Sequence, residues 1–379
     1  ANPTAPNKGI NDSLQNYFKS LQPDEESGAF KSPTPLPTTD PTESLSHRID
    51  EAPDVPKTIL SVGITEQLPQ LLSFSPGFSD IRETHRSGLS GSFLYLHARN
   101  SNIPYAMPVD EIDDSAVPIG STLFLDPTHQ PGFRIGITEN QTDDSSLSAH
   151  FWYYESQSQS GGTLAGGTGF FDALLLHPNS TTVTGDSLWA SGSYDIDFNV
   201  VDAHYRTTFF EADQYTIDLT AGARYTSVEE DLHGSYSILG TTEIVTNLNF
   251  VGVGPRIGLE FERQLDAESR LQLFVRGYGS LLLGRVSADF SQTNSFSADN
   301  QAHTSMDDDR LVPNTELEIG LDWNSSNGHW QFSGGYYITT YHNTLTTGRF
   351  IKGVQAQNLY NMEENLIIAG LMARIELRW

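Results

Sequence analysis

The sequence predicts an all-β fold: a transmembrane up-and-down antiparallel β-barrel of about ten strands, twelve being the alternative, behind a Pro-rich N-terminal extension. Three observations predict it. Apolar and polar residues alternate strictly in run after run from about residue 89 to the end. Tight polar turns take turns with long polar loops between those runs. The final run closes on an aromatic residue, Trp379.

Composition narrows the choice first. The 379 residues are 18% charged with a mean hydropathy of −0.36, and no stretch approaches the roughly 18 consecutive apolar residues of a spanning helix. Barrel strands are apolar on one face only, so they vanish in such averages. Cysteine is absent, which excludes a disulfide framework and thiolate chemistry. A net charge of −27 argues against nucleic acid, whose phosphates need a basic face. Acidic loops on a cell surface suit it better.

Residues 1–85 read as an extension. Eleven of the 19 prolines lie before residue 81, including Pro33, Pro35 and Pro37, and such spacing favours extended polyproline-like chain. A short helix is expected at 12–21, capped by Asn11 or Asp12, with Leu14, Tyr17, Phe18 and Leu21 on one face. The extension is expected to plug the barrel or to trail into the periplasm. Ala1-Asn2-Pro3-Thr4 has neither a basic start nor an apolar run, which suits the mature end left by a removed signal peptide, or simply a cut at that point.

The barrel is expected over 86–379. Its strands are placed near 89–99, 131–141, 146–157, 189–210, 215–229, 244–263, 269–290, 310–324, 329–345 and 362–379. At 215–226, Tyr215, Ile217, Leu219, Ala221, Ala223 and Tyr225 alternate with polar residues and Gly222. The same holds at 251–262 and 316–323, and side chains alternate faces along a strand. Most runs reach the roughly 9–11 residues of a tilted membrane strand. Thr142–Ser145, Glu211–Gln214, Asp266–Ser269 and Asn324–Gly328 read as tight turns. Long external loops are expected at about 100–130, 158–188, 230–243, 291–308 and 346–361. Ser121–Asp126 is the one segment able to add a strand and raise the count.

In the last strand Ala373, Ile375, Leu377 and Trp379 share one face. This looks like the C-terminal signal that barrel assembly machinery reads in outer-membrane proteins. Asn199-Val200-Val201-Asp202, Gly222-Ala223-Arg224-Tyr225, Phe250 to Glu260 and Phe274 to Arg285 are more specific. They resemble the Legionella-type major outer-membrane protein family, found also in planctomycete-like bacteria, over about 89–379. The resemblance implies a pore-forming barrel in the Gram-negative outer membrane and no catalytic residues.

The inner faces supply the candidate pore lining: Arg134, Asp202, His204, Arg206, Asp218, Arg224, Arg256, Glu260, Arg276, Glu316, Glu318, Asp322, Arg374 and Glu376. Opposed charges along a lumen orient water and sort ions. The same charges can equally be ion pairs that fill a narrow barrel, since about eight strands are filled by their own side chains. A hydrolase is the rival class. Asp202 and His204 share a face, but a surface substrate would need such a pair at the outer end. The histidines show no metal-ligand spacing. Asp307, Asp308 and Asp309, placed on an external loop, are Ca²⁺ candidates without the pattern of a dedicated loop; no other cofactor is expected. Gly161–Gly169 lacks the Gly-Lys-Ser/Thr of a phosphate loop and reads as a loop at the barrel mouth.

The functional expectation is a porin-like pore for ions or small solutes. A non-conducting anchor that presents acidic loops is the alternative, and an outer-membrane hydrolase stands below both. The expected partners are outer-membrane lipid, lipopolysaccharide and the assembly machinery, with a homo-oligomer also open.

Overall fold

The computed structural model describes residues 85–379 apart from 112–114, 165–168, 179–185, 213, 238–239, 267–269 and 296–301. The expected N-terminal extension, with its helix at 12–21 and its plug, lies outside the described residues.

Ten antiparallel strands close into a barrel. In chain order they are β1 (Gly88–Arg99), β4 (Gln130–Thr142), β5 (Ser145–Thr163), β8 (Trp189–Ala212) and β9 (Tyr215–Ser237), then β10 (Thr241–Gln264), β11 (Leu271–Asn294), β12 (Ala302–Asn324), β13 (Trp330–Thr344) and β14 (Glu364–Arg378). Each neighbours the next, and β1 closes the ring on β14, from Gly88 opposite Arg378 to Arg99 opposite Ile367. A barrel leaves no unpaired edge at membrane depth, where an unsatisfied backbone group costs several kcal/mol.

Four short strands form a second sheet in the order β3-β2-β6-β7: β2 (Ile103–Val109), β3 (Leu123–Leu125), β6 (Phe170–Ala173) and β7 (Asp186–Ser187). The segment expected to add a barrel strand, Ser121–Asp126, supplies β3 to this sheet instead. One helix, α1 (Thr347–Gln355), occupies the connection from β13 to β14 that was expected to be an irregular loop. Thr346 caps it in extended conformation, its hydroxyl accepting from the Arg349 N–H. Phe350, Ile351 and Val354 fall on one buried face. A nine-residue helix is marginal alone, so that burial is what holds it.

The barrel is lopsided. β8 to β12 have 23 or 24 residues each, whereas β1, β4, β13 and β14 have 12 to 15. Two of the expected external loops are therefore strand. The segment 230–243 is the tip of the β9–β10 hairpin, and 291–308 belongs largely to β11 and β12.

Polarity inverts along the tall wall. From the turns outward, the exterior is apolar up to a directly paired row: Val201, Tyr225, Val253, Leu283 and Leu311. Beyond it the exterior becomes polar, with Asp197 opposite Glu229 and Asp195 opposite Asp231. The interior does the reverse. Charged side chains fill it beside the apolar band, and above that Phe198, Tyr194, Leu232, Leu248, Phe250, Val286 and Phe290 build a buried core. The small sheet adds Tyr105, Leu125 and Phe171 to this core, and α1 adds Phe350, Ile351 and Val354. The hydroxyl of Tyr236 donates to the carbonyl of Tyr105 at 2.6 Å, tying the small sheet to the inner face of β9.

Aromatic residues ring the end that carries the short turns. Phe210 stacks on Tyr215, Tyr215 meets Phe261, and Trp323 meets Phe332 with centroids 5.7 Å apart. Amphipathic rings settle at the membrane interface, so this girdle and the Val201–Leu311 row bound the lipid-facing band.

Candidate functional site

The inner-face residues named from the sequence all point into the lumen, because strand alternation fixes their parity once the apolar face turns to lipid. They bind one another. Arg224 of β9 lies at the centre. Its Nε and Nη2 donate to the two carboxylate oxygens of Asp202 at 2.6 and 2.7 Å. Nη2 also reaches Glu316 at 2.6 Å, and Nη1 reaches Asn314 at 2.6 Å. Arg256 donates to the other Glu316 oxygen at 2.9 Å and lies 3.9 Å above the ring of Tyr278. A guanidinium has five donors in a fixed fork, which suits one arginine to several carboxylates.

Nearer the turns, Arg276 pairs with Glu262 at 3.1 Å, Asp322 at 3.4 Å and Glu260 at 3.5 Å. Arg206 reaches Glu260 at 3.5 Å and Asp218 at 3.9 Å. Arg374 approaches Asp322 at 3.9 Å, and Glu376 holds Arg378 at 3.0 Å. Arg134 of β4 donates to Glu318 of β12 at 2.5 Å while resting on the ring of Tyr337. Arg224 is 1% exposed and Asp322 0%. These two are enclosed by neighbouring side chains, while the side chains of Arg206, Arg134 and Arg374 stay 23%, 14% and 13% exposed. His204 stacks on His150 with centroids 5.3 Å apart, and Asp202 is taken by Arg224, so the two do not form a nucleophile–base set.

Sequence reading missed His85. Its ring lies within hydrogen-bond distance of Ser146 and Thr208, both contacts at 3.0 Å, at the turn end of the barrel. His85 lies in the polar run Arg82-Glu83-Thr84-His85-Arg86-Ser87, so nothing in the sequence singled it out.

The Ca²⁺ candidates are placed differently than expected. Asp307, Asp308 and Asp309 lie in β12, not in a loop. Alternation sends Asp307 and Asp309 outward to Ser287 and Arg285, and Asp308 inward to Arg310. Three successive strand carboxylates cannot converge on one ion. Among the described residues no group of three or more His, Cys, Asp or Glu is arranged to hold a metal.

Carboxylates also cluster on the outer wall, where Asp195, Asp197, Glu229 and Asp231 lie on paired strands. Tyr153 donates to Glu155 at 2.8 Å and to Asp197 at 3.3 Å. Burial raises the carboxyls of Asp195 and Asp197 above the ordinary value, and the neighbouring Glu155 and Asp231 or Glu229 push the same way. Ala373, Ile375, Leu377 and Trp379 face outward to lipid, as expected for the terminal strand.

The model of a protein family described as the Legionella pneumophila major outer membrane protein precursor matches residues 82–378. The chain belongs to this family. With the closed ring and the apolar exterior, membership makes it an outer-membrane β-barrel. No curated protein matches the sequence. Among solved structures, the outer membrane protease OmpT of Escherichia coli is similar at 12% identity and TM-score 0.44, over 80% of this chain and 99% of that one. The toluene transporter TodX of P. putida is similar at 7% identity and TM-score 0.29, over 79% and 91%. LpxR of Salmonella typhimurium follows at 10% identity and TM-score 0.24, over 77% and 100%. At these values the likeness says nothing of what this family member does.

Proposed function

We propose that this family member is a closed, non-enzymatic barrel that anchors an acidic wall at the cell surface. The observation that carries the reading is the Arg134–Glu318 pair, which joins strands four places apart in a ring of ten. Behind it the outer half of the lumen holds the buried aromatic and aliphatic core. The wall of β8 to β12 then presents Asp195, Asp197, Glu229, Asp231 and Asp307 to the medium. Outer-membrane lipid, lipopolysaccharide and the assembly machinery are the partners this reading takes.

Purified protein in planar bilayers tests it. The expected result is a sealed membrane at low voltage, and steady stepwise currents would overturn the anchor reading.

One observation favours the porin-like reading as a second. Arg134 Nε, Arg256 Nε, Arg276 Nη1, Thr220 Oγ1 and Ser280 Oγ are buried without a hydrogen-bond partner in the protein. Buried polar groups of this kind are ordinarily satisfied by internal water. A hydrated lower lumen could pass ions or small solutes once the outer core moves aside, and stepwise currents would support that reading.

A further inference from the structure

Arg99 ends β1 on the outward face of the short wall. The strand from Leu89 to Arg99 covers about 34 Å, and a tilt of about 40° leaves about 26 Å along the membrane normal, close to the height of the apolar band of such barrels. Arg99 therefore stands where lipid tails give way to headgroups, at the end away from the short turns. Below it the face is apolar. Phe93 is paired with Phe133 of β4 and Ala373 of β14, and Leu371 is exposed beside them.

At the headgroup level the side chains form one continuous surface. The ring of His129, just before β4, stacks on Tyr95 with centroids 5.5 Å apart and on His97 at 4.8 Å. Reaching across β14, Arg99 Nη2 donates to the hydroxyl of Tyr336 on β13 at 3.3 Å. Among the described residues the rest of its exposed guanidinium fork meets no acceptor. Ala369 lies on this face between His97 and Ile338 in register, yet is 1% exposed, so the longer side chains close over it. The carboxylate of Asp126 lies 4.0 Å from His97 Nε2. The tall wall offers the opposite sign above its apolar row, where Asp197 stands opposite Glu229 and Asp195 opposite Asp231.

We propose that the outer end of the short wall is a lipid site, where Arg99, His97 and His129 hold the phosphate monoester of an outer-leaflet lipid while Phe93, Phe133 and Leu371 carry its acyl chains. An arginine fork fits two phosphate oxygens at once, and imidazole N–H groups supply further donors. The carboxylates of the tall wall repel the same headgroup, so the barrel gathers anionic lipid on one side. The site gives a place to the lipopolysaccharide partner of the reading above, and it rests on that reading's outward orientation of the tall end. Conduction does not enter it.

Native mass spectrometry of the full folded chain in neutral detergent tests it, at low salt and with EDTA so that no divalent cation bridges lipid phosphate to the tall wall. The probes are lipid A with both phosphates and dephosphorylated lipid A with the same acyl chains. The phosphorylated form is expected to bind at least about tenfold tighter, as charge-assisted hydrogen bonds require. Arg99→Gln with His129→Gln should remove most of that preference, and Asp126→Asn should bind the phosphorylated form more tightly than wild type. Equal binding of the two forms by wild type overturns the proposal, as does a double variant that keeps the preference. Should the double variant fail to assemble, Arg99→Gln alone must lower the preference or the proposal falls. Stepwise bilayer currents from protein that keeps the preference would overturn the anchor reading alone. A sealed membrane from protein without the preference would overturn the lipid site alone.

Discussion

Arg134 of β4 and Glu318 of β12 meet at 2.5 Å across the lumen, although their strands stand four places apart in the ring. Glu318 is buried and the Arg134 side chain is only 14% exposed, so losing one partner leaves the other charge poorly solvated. Arg134→Met or Glu318→Leu alone is expected to cost about 3–5 kcal/mol, while the two together should recover most of that. Urea unfolding of the two single variants and the double variant in lipid measures the cycle. A double variant that costs the sum of the singles would mean the two side chains do not meet.

The sequence made the strands legible because lipid enforces alternation and nothing else in the chain does so over ten runs. The inversion of polarity is written there as well. Val200-Val201, Phe250-Val251, Leu281-Leu282-Leu283, Leu311-Val312 and Ile367-Ile368 are adjacent apolar residues within alternating runs. Each marks the place where the apolar face crosses from the outside of the barrel to the inside: Val200 is buried and Val201 exposed, Phe250 buried and Val251 exposed. As a change of phase they give strands that rise beyond the membrane over an apolar core, where unbroken alternation stops short at 230–243 and 291–308. The lumen was different in kind. Parity identifies which charges point inward, but whether Arg134 meets water or Glu318 depends on the barrel's cross-section, which no single strand encodes. The helix α1 left a fainter trace, since Phe350, Ile351 and Val354 make a face too short to argue alone.

Neighbouring residues of β9 should respond to the same substitution for different reasons. Leu219 faces lipid and Thr220 faces the filled lumen, where it is 1% exposed. Leu219→Arg is expected to cost about 2–4 kcal/mol by placing a charge at bilayer depth. Thr220→Arg has no bore to extend into, and overpacking is expected to cost about 1–3 kcal/mol or more. Thr220→Ser should be near neutral. Unfolding midpoints in lipid rank the three, and a harmless Thr220→Arg would show that the lumen has room.

The seam between β1 and β14 needs a hydrogen at Gly370. A Cβ there would stand 2.0 Å from the Tyr95 carbonyl oxygen, which belongs to the partner backbone and cannot rotate away. Gly91, on the lipid face of the same seam, has nothing within 4 Å of its Cβ direction. Gly370→Ala is therefore expected to block closure, and Gly91→Ala to assemble normally. Heat-modifiable migration on gels, the usual sign of a closed barrel, separates them. Equal assembly of both variants would count against the observed β1–β14 register.

The outer wall supplies a prediction about pH. Asp195 stands opposite Asp231, and Asp197 opposite Glu229 and Glu155, and directly opposed like charges on a sheet repel. Burial and these neighbours raise the carboxyls of Asp195 and Asp197. A raised carboxyl contributes most below its unfolded value, about 3.9 for aspartate, and that contribution fades as pH rises through the folded value. Thermal midpoints of the barrel should therefore fall between mildly acidic and neutral pH. Asp195→Asn with Asp197→Asn removes two of the opposed charges, so the variant should be more stable than wild type at pH 7.5 and its midpoint should depend less on pH. Millimolar Mg²⁺ should narrow the gap between variant and wild type at pH 7.5, because a divalent cation screens the same repulsion. A variant less stable than wild type at pH 7.5 would mean that the hydrogen bonds lost from Asp197, among them the one from Tyr153, outweigh the repulsion relieved.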